Sequence, residues 1–448
     1  MDRHNFVASW THASWTGTTA SRTGTIFSGA SWPEAPHGQA QTPRGEPVVK
    51  LRTAQNHLYL YRMAQRRSDT VDAAHSGVYH CTSRCVRRER LLSDPRRRAW
   101  IVARLEFLAS YAAIDVIAFG VMTNHLHLVL RTKPELVATL SDPEVAQRRV
   151  SLIASHRMHS KSSSCDDQTM FEREIAVILS SSERIRDARR DLSSPSFFHK
   201  LLKEPCAKKW NREDDVTGHY WEGRFHCKKV LDQAALEIVV MYVELNEVRA
   251  GAATSIPSSI FTSGNVQWQR LSHKVRIACE ESAAANEDPC PRLLEICWEP
   301  VFPCRNAEGD GSKARVQPAM FADEFADRAP SLLRHIQRMD QVGRRRRPDK
   351  AGWISKSQPD AVSEAIARVL PSLLRGTRAV RRAARSIANW WRESRGPIEE
   401  QFDPIPVDNL AWNVLGSMRG SCYGSKESVA REAARRGQHR MVPVWSSE

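Results

Sequence analysis

The hydrophobic pattern changes period several times between Val78 and Gly251. Val78-Tyr79-His80-Cys81-Thr82-Ser83 mixes β-branched and aromatic residues and predicts a strand. From Arg96 to Ala113, Trp100, Ile101, Leu105, Leu108 and Ala112 recur near one helical face. Asp115 to Met122 is an apolar strand and Thr123-Asn124 a turn. His125 to Arg131 is the next strand, opening on a His/Leu alternation. Residues 141–194 are polar and charged, contain Ser160-Lys161-Ser162-Ser163-Ser164, and read as an insertion with some helix. Ser196 to Trp210 carries Phe197, Phe198, Leu201 and Leu202 and reads as helix. Arg224 to Leu231 is a short basic strand. Asp232 then caps a helix running to about Arg249, closed by Gly251.

This order predicts an α+β fold, an antiparallel sheet with helices on one face. Residues 1–70 are polar, with Ser-Trp and Thr-Gly pieces and a Pro/Gly-rich stretch, and read as disordered. Residues 75–262 form the patterned domain. Residues 263–448 read as a basic, mainly helical region. Within it Cys279 to Gly311 is loop-rich, and the run Arg344 to Arg347 is a flexible basic linker. Asp360 to Arg395 is a basic helical stretch interrupted at Pro371 and Gly376, and Ser425 to Arg440 is a last basic helix.

Composition narrows the class. The 448 residues contain no run of 18 apolar positions, so no membrane-spanning helix is expected, and the N-terminus lacks the pattern of a secretory signal. The expected location is the cytoplasm, on the nucleoid when bound to DNA. The ten cysteines include no Cys-x-x-Cys pair and read as free thiols. The net charge is +15 and the pI about 9.6, a balance that suits a nucleic-acid partner. From Ser331 to Glu448 there are 22 Lys+Arg and 12 Asp+Glu, so 22 − 12 = +10 of the excess lies in the last quarter.

Two short motifs carry candidate chemistry. His125 and His127 are two apart on a strand, so both imidazoles point to one face while Leu126 packs on the other. Tyr242 and Asn246 are four apart on a helix and share a face. Alone, the first fits an incidental strand pair and the second a half-buried core tyrosine. Together they describe a divalent ion held by His125, His127 and Asn246, with open positions beside the phenol. Mg²⁺ or Mn²⁺ accepts an amide oxygen and a phosphate oxygen. Such an ion offsets the poor nucleophilicity of a phenol with a pKa of about 10. Near these motifs, Arg224, Lys228 and Lys229 could neutralise phosphates and Trp221 could stack on an unpaired base. Arg84, Arg87, Arg88 and Arg90 follow the first strand and could grip a hairpin stem or form a solvated charged loop. Phe225 reads as core.

Three separated stretches resemble the His-hydrophobic-His (HUH) single-tyrosine transposases, in particular the REP-associated tyrosine transposases and their larger bacterial relatives. They are Tyr79-His80-Cys81-Thr82-Ser83-Arg84, Gly120 to Val129, and Trp221 to Phe225 with Met241 to Gly251. The resemblance covers about Gly77 to Thr262. It implies a ferredoxin-like fold, His125, His127 and Asn246 as metal ligands and Tyr242 as nucleophile. It also implies cleavage and rejoining of single-stranded DNA with hairpin ends, through a 5′-phosphotyrosine. Glu247 stands where that group usually has Pro. Monomer and homodimer are both open. Other readings are a non-cleaving DNA-binding relative of the same fold, a hydrolase using water, and a relaxase-like nicking enzyme. A second helical tyrosine near Tyr242, as in two-tyrosine enzymes, is not seen.

Overall fold

The computed structural model describes residues 70–154, 165–305, 331–393, 422–435 and 437. The expectations for residues 1–69 and for the Ser160–Ser164 run lie outside them. In chain order the elements are β1 (Gly77–Arg84), α1 (Pro95–Tyr111), β2 (Ile114–Val121), β3 (His125–Thr132) and α2 (Pro134–Thr139). Then come α3 (Asp142–Ala154), α4 (Cys165–Leu179), α5 (Ser182–Leu192), α6 (Pro195–Glu213), β4 (His226–Val230) and α7 (Gln233–Glu244). The remainder is α8 (Asn246–Arg249), α9 (Ser263–Ala285), α10 (Pro289–Leu294), α11 (Leu332–Arg344), α12 (Ala361–Leu373), α13 (Arg378–Glu393), β5 (Cys422–Tyr423) and α14 (Lys426–Arg435).

The class is α+β. The strands form one sheet in the order β2-β3-β1-β4-β5, antiparallel throughout except that β5 joins β4 in parallel. Helices cover both faces rather than one. On one face Tyr79, Cys81, Leu126, Leu128 and Leu130 pack with Leu105 and Leu108 of α1 and Phe198 and Leu202 of α6. On the other, Val78, Val129 and Val230 pack with Val239, Val240 and Val243 of α7. The physical reason is legible in β2: Ile114–Val121 is buried along its whole length, as its nearly unbroken apolar run requires. Gly120 permits the close seat of α7, since a Cβ there would lie 2.9 Å from the Val243 carbonyl oxygen.

The insertion folds into α3, α4 and α5, whose described parts pack on one another. The region after Thr262 is more ordered than its sequence signals. The segment from Cys279 to Ala285 is the end of α9, not loop, and α9, α11, α12 and α13 share one core with α7. The Arg344–Arg347 run is not a free linker. Arg344 ends α11, pairs with Asp340 at 2.5 Å and donates to the Ser355 and Pro359 carbonyls.

The motif carboxylates explain how this region is fused to the sheet. Glu244, fully buried at the end of α7, accepts from Ser263 Oγ (2.8 Å) and lies 2.7 Å from His335 Nε2. Glu247 pairs with Arg98 of α1 at 2.9 Å. Among the described residues no helix is long and apolar enough to cross a membrane.

Candidate active site

The strand register builds the site. Antiparallel pairing sets Arg84 opposite His125, Thr82 opposite His127 and His80 opposite Val129. On the other side of β1, Thr82 meets His226 and His80 meets Lys228. Because alternate residues share a face, Arg84, Thr82, His80, His125, His127, His226 and Lys228 all belong to the face covered by α7.

α7 brings Tyr242 over this row. Asp232 caps it as the sequence predicts, accepting from the Ala235 N–H at 2.9 Å. The helix is not continuous to Arg249. It breaks at Leu245 (φ −87°, ψ 3°) and restarts as α8, and Gly251 follows at φ +69°. The Tyr242–Asn246 pairing survives the break, with the Asn246 amide near enough to the phenol to hold its pKa down against the larger effect of burial. The Tyr242 ring stands edge-on to His127 with centroids 5.5 Å apart, and to His80 at 6.1 Å. His125 and His127 are 4.9 Å apart, nearly perpendicular.

Each histidine has its Nδ1 engaged. His125 Nδ1 lies 2.6 Å from Asn124 Oδ1. His127 Nδ1 lies 3.0 Å from His80 Nε2 and 3.2 Å from Thr82 Oγ1. His80 Nδ1 in turn lies 3.1 Å from Tyr423 Oη. His80 and Tyr423 are therefore site residues to which the sequence motifs assign no role. Tyr423 arrives on β5, from the far end of the chain, and is a second tyrosine close to Tyr242, though buried in the core and not helical. The Lys228 ammonium sits over its ring, 5.3 Å from the centroid.

Burial sets the protonation states. Desolvation, with help from Lys228, lowers His80 from 6.5 to about 3. Desolvation and Arg84 lower His125 to about 4. His127 lies well below its ordinary value, from desolvation first and then its neighbours His125, His80 and Arg84. Three imidazoles are thus neutral near pH 7. The Tyr242 phenol is pushed up by desolvation, partly offset by Asn246, Arg84 and Arg347.

A stability consequence follows. Between 6.5 and about 4 the unfolded chain takes up protons on His80, His125 and His127 that the folded chain refuses. Stability therefore falls as pH drops through this window. Thermal midpoints measured from pH 7.5 down to about 4.5 should decline, with His80→Gln flattening the decline. An unchanged slope in that variant would contradict the assignment.

Of the other expected contact residues, the structure gathers some and separates others. Arg84 and Lys228 belong to the site face. Arg87 and Arg88 lie exposed in the turn after β1, with φ of +52° and +59°. Arg224 is exposed before β4. Lys229 does not join them. Its neighbour Lys228 holds the site face, so Lys229 points to the opposite one, where its ammonium pairs with Glu432 at 2.5 Å and is buried. Trp221 is a core residue, its ring N–H donating to the Lys203 carbonyl at 3.2 Å, which leaves no open face for a base. Phe225 is core, as expected, stacked on His199 with centroids 3.7 Å apart.

The expected cation set is His125, His127 and Asn246. Among the described residues no group of three or more His, Cys, Asp and Glu is arranged for a metal, so any ion here depends on the Asn246 amide. The donors fit that role on two counts. Both imidazoles are neutral and held through Nδ1, the usual arrangement of a ligating histidine that offers Nε2. The Asn246 amide nitrogen is buried without a partner. Amide nitrogen and oxygen exchange places on a flip, so the same position can present an acceptor oxygen to a cation.

No family model matches the chain, and no curated protein matches it. Among solved structures it is similar to one described as "Structure of the REP associates tyrosine transposase bound to a REP hairpin", at 10% identity over 56% of this chain and 96% of that one, with a TM-score of 0.27.

Proposed function

We propose that this chain is a metal-dependent single-tyrosine DNA transposase that cleaves and rejoins single-stranded DNA through Tyr242. The observation that carries the reading is the convergence of a half-buried phenol, one helical turn from Asn246, with the neutral pair His125 and His127 on a face that also holds Arg84 and Lys228.

The chemistry is a transesterification. Tyr242 Oη forms a bond to phosphorus, and the bond from phosphorus to the sugar 3′ oxygen breaks. The phenolic proton is balanced by the hydroxyl that leaves, and the DNA end stays as a 5′-phosphotyrosine. The phosphodiester energy is stored in that bond, so rejoining needs no nucleotide cofactor. Asn246 orients the phenol. Arg84 and Lys228 supply positive charge for the phosphate. Burial keeps the resting phenol protonated, which restrains attack until a phosphate is in place. Mg²⁺ or Mn²⁺ held by His125, His127 and Asn246 would polarise the scissile phosphate and neutralise its developing charge.

His80 and Tyr423 position His127. To offer Nε2, His127 must carry its proton on Nδ1 and donate it to His80 Nε2. His80 then donates from Nδ1 to Tyr423 Oη. Tyr423→Phe removes the terminal acceptor and frees the opposite tautomer. Mn²⁺ affinity, read by titration calorimetry, should drop about 10- to 100-fold, as losses of such outer partners do. Wild-type affinity in the variant would remove this role.

The form of the DNA substrate discriminates between recombinase classes. A labelled strand carrying a hairpin should be cleaved, and the same sequence annealed as a perfect duplex should not. Among the described residues of the β1–α8 portion, Arg84 and Lys228 lie with the histidines along one sheet face, an arrangement suited to an unpaired strand. Equal cleavage of the duplex would favour another class of recombinase.

A further inference from the structure

Beyond the site, one face of α13 is a row of exposed arginines. Arg378, Arg382, Arg385 and Arg392 follow one another at helical spacings along it, and Arg375 precedes them by one turn; all five are exposed. The opposite face, Ala383, Ala384, Ile387 and Trp391, is buried in the core shared with α7. Trp391 fixes the helix by donating its ring N–H to Ser363 Oγ (3.0 Å) and Asp360 Oδ1 (3.2 Å).

The stripe is not paired with acids, although Glu287 and Asp288 line a hollow beside Arg382. None of Arg375, Arg378, Arg382 and Arg385 pairs with a carboxylate among the described residues, while the nearby acids are used elsewhere. Glu287 holds Arg292 at 2.6 Å, and Asp288 caps α10. Like charges at these spacings repel one another. Solvated helix faces ordinarily mix both signs. A single-sign row on a rigidly anchored helix suits a polyanion with regular charge spacing.

We propose that this arginine face binds the sugar–phosphate backbone of duplex DNA without reading its bases. Fourteen residues separate Arg378 from Arg392, about 21 Å of helix. That length spans roughly six base-pair steps at about 3.4 Å each. Guanidinium groups match phosphate geometry. The exposed positions of the stripe offer no aromatic ring, since Trp391 is buried and Trp390 half-buried, so nothing on it would favour an unpaired strand over the regular phosphate spacing of a duplex. The choice of DNA among polyanions rests on the reading of the Tyr242 site. The helical region would then hold a paired stem while the sheet face handles the unpaired strand.

A salt series separates these possibilities. Binding of the full-length chain to a short blunt DNA duplex is measured by fluorescence anisotropy, for wild type, for Arg378→Ala/Arg382→Ala/Arg385→Ala and for the matching triple Lys variant. The slope of log K against log salt should fall by about 2–3 in the Ala variant, near 0.9 per lost phosphate contact. Duplex affinity at low salt should weaken at least about tenfold with it. The Lys variant should keep the slope, and all three should share one thermal midpoint. An unchanged slope in the Ala variant overturns the proposal. So does a slope lost equally on unstructured single strands that bind as tightly as the duplex. A lost slope in a protein that forms no covalent DNA adduct would instead sink the Tyr242 reading and leave the surface standing.

Discussion

Tyr242→Phe is expected to abolish the covalent protein–DNA adduct while leaving DNA binding and fold nearly intact. The change removes one oxygen and keeps a ring that packs edge-on against His127 and His80. Its structural cost is confined to the lost hydroxyl, which lies within the influence of the Asn246 amide. The chemical cost is the nucleophile itself, and loss of a covalent nucleophile lowers turnover on the order of 10⁴-fold or more. Tyr423 cannot stand in. It is buried, and its hydroxyl is committed to His80. A variant that still forms adduct at the wild-type rate would remove Tyr242 from its role.

His125→Ala and His127→Ala should each reduce cleavage by about 10²-fold or more, and excess EDTA should do the same to the wild type. Even outer partners of a ligand are worth about 10- to 100-fold, and a direct ligand more. The two variants should differ in stability. His127 is buried and linked to both His80 and Thr82, so its loss strands their polar atoms; His125 is only partly buried and linked to Asn124. His127→Ala should therefore show the larger fall in thermal midpoint, and His125→Ala a nearly unchanged one with equally poor cleavage. Full cleavage in EDTA would remove the metal from the reaction.

Much of the site is legible in the sequence because it rests on local periodicity. The shared face of His125 and His127 follows from a period of two, and the Tyr242–Asn246 pairing from helical spacing, robust enough to survive the break at Leu245. His80 lies in a motif but takes no role from it, since its link to His127 depends on the register between β1 and β3, which no single segment encodes. Tyr423 is harder still: it reaches the site only because a two-residue strand adds to the sheet edge. Two expectations fail on rules that the sequence itself carries. Adjacent residues on a strand face opposite ways, so Lys228 and Lys229 cannot both serve the site. The nearly unbroken apolar run of β2 signals a strand covered on both faces, which excludes helices on one side alone.

The most direct measurement is to trap the wild-type protein on a labelled single strand carrying a hairpin, digest the complex, and identify by mass spectrometry the residue that carries the nucleotide. The expected result is one modified peptide, with the DNA phosphate on Tyr242. Modification of Tyr423 or of any other residue, or cleavage that proceeds with no covalent species at all, would contradict the reaction proposed for this site.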